Sequence, residues 1–191
     1  MTHQTLDKAA SDLLILVDAE DRELGYETKA RCHDGAGILH RAFSVFLWND
    51  RGELLLQQRS AEKRLWPGYW SNSCCSHPRK GEQLAAAALR RVHEELALTA
   101  ELTWLFKFTY QAAFGTLGSE HELCSVFVGR TSALPTVDPS EIGAWRFVSH
   151  AELNRELSTS PERFTPWFKL EWQTLCREHG ERLAALARAR H

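Results

Sequence analysis

The stretch from Arg41 to Arg59 constrains the fold more than any other part of the chain. Arg41 to Trp48 is dense in aromatic and branched side chains, Asn49-Asp50-Arg51-Gly52 is turn chemistry, and Glu53 to Arg59 returns as a second apolar run. Two such runs around a glycine-containing turn specify a β-hairpin. A fold containing a sheet follows.

The rest of the chain adds strands and helices in alternation. Leu13 to Val17, a turn at Asp18 to Asp21 and a return at Leu24 to Tyr26 predict an N-terminal hairpin. Leu102 to Tyr110 and Glu122 to Gly129 read as strands flanking the glycine-containing segment Phe114 to Gly118, and Ala144 to Val148 as another. Gln83 to Ala97 reads as a helix with Ala85, Leu89, Val92 and Leu96 on its buried stripe and Arg90, Arg91, Glu94 and Glu95 off it. Ser149 with Glu152 forms a capping box that opens a second helix. Thr165-Pro166 opens a third, with Gly180 as its stop and Glu181 to Arg190 continuing as a surface helix. With 191 residues, 43% of them hydrophobic, the chain suits a single α+β domain with helices among mainly antiparallel strands.

Charge and cysteine usage narrow the classes. Lys+Arg 23 against Asp+Glu 25 leaves a formal charge of -2, which implies no general attraction to nucleic acid or anionic membranes. No apolar run approaches the roughly 20 residues of a membrane-spanning helix, and the polar start Met1 to Asp12 lacks a signal-peptide pattern, so a cytoplasmic protein is expected. Five cysteines, an odd number, argue for reduced thiols rather than a disulfide framework. Seven tryptophans exceed the needs of a core this size and point some of them at a pocket.

Several residues could carry chemistry. Glu120 and Glu122 project to one face of a strand, which suits a hard cation; alone, the pair reads more simply as the solvated face of an edge strand. His33, His40 and His77 could join them around a transition metal, although no compact spacing marks such a site. Cys74 and Cys75 lie among Ser73, Ser76 and His77 in the long Pro- and Gly-punctuated loop from Trp66 to Gly81. Each thiol fits either proton transfer or a small buried apolar role. Arg90 with Glu94 and Arg91 with Glu95 read as surface i,i+4 pairs in the weaker order. Lys29, Arg59, Lys63 and Arg91 come from separate segments, as cations that grip a compact polyanion do.

Taken together, Trp66-Pro67-Gly68-Tyr69-Trp70-Ser71-Asn72-Ser73-Cys74-Cys75-Ser76-His77-Pro78 and Arg90-Arg91-Val92-His93-Glu94-Glu95-Leu96 resemble the type I isopentenyl-diphosphate isomerases. The likeness runs from about Lys29 through Trp167. It implies a Nudix-like α/β/α sandwich with a mixed, largely antiparallel sheet, and reversible conversion of isopentenyl to dimethylallyl diphosphate, a step of isoprenoid precursor synthesis. Segments 1–27, 28–179 and 180–191 would then be an N-terminal extension with its hairpin, the catalytic domain and a C-terminal tail. By resemblance, Cys75 and Glu122 transfer protons, Tyr110 hydrogen-bonds that machinery and Trp167 faces the hydrocarbon. His33, His40, His77, Glu120 and Glu122 match metal ligands for Mn2+, Zn2+ or Mg2+, and Glu95 supports Mg2+ on the diphosphate. Lys29, Arg59, Lys63 and Arg91 match the diphosphate-binding cations, and a monomer or weak homo-oligomer is expected.

Two rivals remain. Aligned with the Nudix hydrolase signature, the chain keeps Glu82 and Leu98, but Ser76 and Ala97 replace glycines and Arg91 replaces a glutamate. Losing a carboxylate weakens metal-assisted hydrolysis. The other rival is a noncatalytic metal-binding module, in which the same ligands serve folding alone.

Overall fold

His40–Trp48 (β3) is almost wholly buried, and every neighbouring element is arranged around it. A computed structural model describes residues 13–189; Met1 to Asp12, Arg190 and His191 fall outside the described residues. One edge of β3 pairs in parallel with Ser119–Arg130 (β8) over its full length, from His40 opposite Glu122 to Trp48 opposite Arg130. Its other edge is shared. Leu13–Val17 (β1), itself paired with Glu23–Thr28 (β2), meets His40 through Leu16. Cys74–Ser76 (β6) pairs with Phe43 to Val45. Leu54–Arg59 (β4) touches only at Trp48 opposite Leu54.

The hairpin expected from Arg41 to Arg59 therefore splays directly after its turn. β4 turns away to pair with Trp70–Ser71 (β5) and with Ile142–Val148 (β9), and the space beside β3 is filled by β6. Both strands are apolar on both faces, so alternation could not say which neighbour each would take. Leu102–Ala113 (β7) completes the sheet in a long antiparallel pairing with β8.

Two helical layers cover the sheet. Leu84–Leu96 (α2) seals one face through Ala87, Ala88, Val92 and Leu96, packed with Phe43, Val45, Leu47 and Cys74. The buried stripe differs from the one expected: Ala85 and Leu89 face solvent, and Glu95 is buried. Four successive alanines fit any helical phase, so hydrophobicity alone left the orientation open. The opposite face is covered by Pro166–Glu178 (α4), whose Trp167, Phe168, Trp172 and Leu175 pack with Ala42, Phe46, Cys124 and Val126.

Lys29–Cys32 (α1) is a single turn with Thr28 as its N-cap. His150–Thr159 (α3) begins at Ser149, whose hydroxyl accepts from the Glu152 backbone N–H as the capping box requires. Thr165 precedes α4 without capping it by its side chain; its hydroxyl instead hydrogen-bonds Ser71 Oγ at 2.9 Å. α4 ends at Glu178 with His179 as its C-cap, just before the expected stop at Gly180, and Gly180–Leu186 (α5) follows, its Leu183 and Leu186 joining the core rather than lying on the surface. No described helix is long and apolar enough to cross a membrane.

Candidate active site

The strand period of two separates the adjacent cysteines. Cys74 points toward α2 and is fully buried, whereas Cys75, opposite Ser44 of β3, points toward α4 and lines a cavity of about 690 Å³. Burial pushes the Cys75 thiol up to about 12, against the pull of Arg59, so it holds its proton.

Four ligand atoms, one each from His33, His40, His77 and Glu122, lie within 4.8 Å of one another. Parallel pairing places His40 beside Glu122, β6 delivers His77 just after its end, and α1 delivers His33. His33 Nδ1 lies 2.6 Å from the Lys29 carbonyl and His40 Nδ1 2.7 Å from the Ile38 carbonyl. Each Nδ1 donating a proton there leaves the Nε2 lone pair directed into the cluster. His40 Nε2 is 3.1 Å from His77 Nε2, which is 2.9 Å from Glu122 Oε1. Lone pairs and a carboxylate thus face one another, as they do around a cation.

Glu120 Oε2 approaches His33 Nε2 at 2.7 Å yet is buried without a hydrogen bond, a further acceptor beside the cluster. Burial opposes charge on Glu122, but the adjoining imidazoles of His40 and His77 outweigh it and hold the carboxyl well below its usual range. Burial drives His77 down to about 3, so it is neutral, the form that binds metal. The residues fit a divalent cation. Gly118 keeps His33 in place: its φ is +152°, and a Cβ there would stand 2.2 Å from the His33 carbonyl oxygen.

Tyr110, directly opposite Glu122 in the β7–β8 register, donates its hydroxyl to Glu122 Oε2 at 2.7 Å. Trp167 is presented by the first turn of α4, which is tied to β5 by the Thr165–Ser71 hydroxyl pair and by Thr165 N–H donating to the Trp70 carbonyl. Lys29, Arg59, Lys63 and Arg91 line the same cavity. Arg59 donates to the carbonyls of Leu65 and Trp66, and its guanidinium lies 5.2 Å from the Trp167 ring centre.

A NUDIX domain model matches residues 38–168. An isopentenyl-diphosphate Delta-isomerase 1 of Photorhabdus laumondii is 42% identical over 172 residues, covering 89% of this chain and 98% of its own length. The isopentenyl-diphosphate Delta-isomerase of Serratia proteamaculans is 44% identical over 176 residues, covering 92% and 98%. The chain belongs to the isopentenyl-diphosphate Delta-isomerase family. Its fold is shared with a Deinococcus radiodurans crystal structure at TM-score 0.63 and 23% identity, over 78% of this chain and 90% of that one. A MutT protein of Methanosarcina mazei aligns at TM-score 0.59 and 20% identity, over 74% and 95%.

Within this isomerase-family chain, two site residues expected from sequence stand off the cavity wall. His40, a member of the cluster, is fully buried and does not line the cavity. Glu95, 2% exposed, turns its carboxylate to Arg91 at 2.5 and 2.9 Å; burial raises its pKa despite that partner. The Arg91–Glu95 pair is thus an inward contact rather than a surface bridge. Ala97, where the hydrolase signature has glycine, adopts a left-handed backbone with φ +52° at the end of α2.

Two cavity residues escaped the sequence reading. Arg64 reaches Asp34 and the Leu117 carbonyl, and Glu141 sits between Lys63 and Arg91. Neither belongs to a local pattern that marks it. A third residue, Glu171, is completely buried one turn beyond Trp167, and helical spacing from Trp167 was the one signal that could have found it. Its Oε1 lies 3.5 Å from Cys124 Sγ, its Oε2 has no hydrogen-bond partner, and burial raises its pKa to about 8.

Proposed function

We propose that this chain interconverts isopentenyl and dimethylallyl diphosphate, with Cys75 and Glu122 moving the proton. A single observation carries the assignment: the Cys75 thiol and the Glu122 carboxylate line one cavity with Trp167, Lys29, Arg59, Lys63 and Arg91. The reaction adds a proton to one carbon of the alkene and removes one from another, shifting the double bond. One of the pair gives, the other takes, and the roles reverse in the back reaction.

In the free protein the thiol is protonated and the carboxylate is not, so the pair holds one proton to transfer. Tyr110 fixes the orientation of Glu122 through its 2.7 Å hydrogen bond. Protonating an alkene develops tertiary carbocation character, which an aromatic face stabilises by about 2 kcal/mol or more in a dry site. Trp167, 2% exposed, supplies that face. Lys29, Arg59, Lys63 and Arg91 hold the diphosphate.

A divalent ion, Mn2+, Zn2+ or Mg2+, would be held by His33, His40, His77, Glu122 and Glu120, and would orient Glu122 and tune its acidity. Mg2+ on the diphosphate would be supported by Glu95, whose carboxylate must first turn from Arg91 toward the cavity. Hydrolysis is disfavoured because Arg91 stands at a signature carboxylate position with its guanidinium fixed by Glu95. The chain acts on a small molecule in the cytoplasm, as a monomer or weak homo-oligomer.

Incubation with isopentenyl diphosphate and Mg2+ in deuterated water tests the assignment. Dimethylallyl diphosphate carrying deuterium is expected. Phosphate release without isomer would mean a hydrolase, and an inert, folded sample would mean a noncatalytic metal-binding module.

A further inference from the structure

Glu141 has no part in the proposed proton transfer, yet it lines the cavity between two of its cations, Lys63 and Arg91. It immediately precedes β9, and its backbone is fixed on both sides: its N–H donates to the Asp138 carbonyl, and its own carbonyl accepts from Ser60 N–H at 2.9 Å. Ser60 in turn accepts from Lys63 N–H, so the turn carrying Glu141 and the turn carrying Lys63 are stitched together. One carboxylate oxygen bonds Lys63 Nζ, and the other lies 3.0 Å from Arg91 Nη2. All three side chains are at least three-quarters buried.

This is the contact pattern a phosphoryl group would make, with two oxygens of one anion shared between an ammonium and a guanidinium. Arg91 is already committed elsewhere, through Nε and Nη2 to Glu95 and through Nη1 to Glu94. Lys29, by contrast, makes no ion pair among the described residues. Lys63 and Arg91 hold Glu141 down to about 2 against the effect of burial, so it is ionised at any working pH.

We infer that Glu141 is a built-in competitor for the diphosphate site: its carboxylate occupies Lys63 and Arg91 in the free protein and must yield both when an anion enters. This rests on the proposed diphosphate-binding role of those cations. Holding the two cations together before binding keeps like charges from driving them apart, at a cost in affinity that each incoming anion must overcome.

The test is calorimetric titration of inorganic diphosphate, in magnesium-free buffer, into folded wild type, Glu141→Gln, Glu141→Asp and Lys63→Gln. Two partly exposed ion pairs are at stake, so Glu141→Gln should bind roughly three- to tenfold more tightly than wild type. Glu141→Asp keeps the competing charge and should stay near wild type, while Lys63→Gln should bind more weakly. If Lys63→Gln weakens binding but Glu141→Gln binds equally or less tightly, the competitor role is wrong and the diphosphate site stands. If no folded form binds diphosphate, the assignment of the site falls and the inference with it.

Discussion

The two faces of the sheet treat neighbouring residues of one strand in opposite ways. On the α2 side Cys74 is sealed among Phe43, Val45, Val92 and Leu96, a packed apolar interior. On the α4 side the layer stops short at Trp167, and the uncovered end of the sheet displays Cys75, Glu122, His77 and Tyr110 into a cavity. A step of one residue along β6 carries a thiol from one setting to the other, so chemistry here is assigned by which side of the pleat a residue takes.

Exchanging that contrast for a single atom should give the largest effect. Cys75→Ala is expected to lower kcat by about 10²- to 10⁴-fold with unchanged thermal stability, whereas Cys74→Ala keeps turnover within a small factor. Paired steady-state assays and melting curves decide it, and equal losses in both variants would erase the distinction between the faces. Leu96→Ala sharpens the comparison from the sealed side: it should cost about 2–5 kcal/mol in denaturant unfolding and leave kcat per folded molecule intact.

A weaker, pH-dependent effect is expected at Glu171 on the α4 side. Its carboxyl binds a proton more tightly when folded, with a pKa of about 8 against 4.5. Its contribution is therefore fully present below about pH 4.5, is lost progressively as pH rises, and levels off above about pH 8. Glu171→Gln should raise the melting temperature at pH 9 relative to wild type and leave no such gain at pH 4.5; a pH-independent difference would contradict a buried neutral acid. Smallest of all, Ala97→Gly at the end of α2 should stabilise by about 0.5–1 kcal/mol, the left-handed penalty of about 1–2 kcal/mol less the added chain entropy. Equilibrium unfolding reads this directly.

Much of this was legible in the sequence where local chemistry decides the outcome. The strands at Leu13 to Val17 and Leu102 to Tyr110, the Ser149 cap and the Pro166 helix start all appear, within a residue or a few at their ends. Long-range choices were not legible. β4 could have paired with β3 or β9 on its composition, and the alanine run of α2 carries no phase. Nor does the spacing of His33, His40, His77 and Glu122 announce a cluster, because the parallel register of β3 and β8 creates it; family resemblance pointed to those residues where spacing could not. Glu141 and Arg64 had neither spacing nor resemblance to mark them.

The parallel β3–β8 ladder has a kinetic consequence. Ser44 and Cys124 face each other across 80 residues of chain, so the imidazole of His40 cannot meet Glu122 until a large loop has closed. Such non-local closure slows folding, and neither half of the polypeptide, expressed alone, can bring His40 beside Glu122.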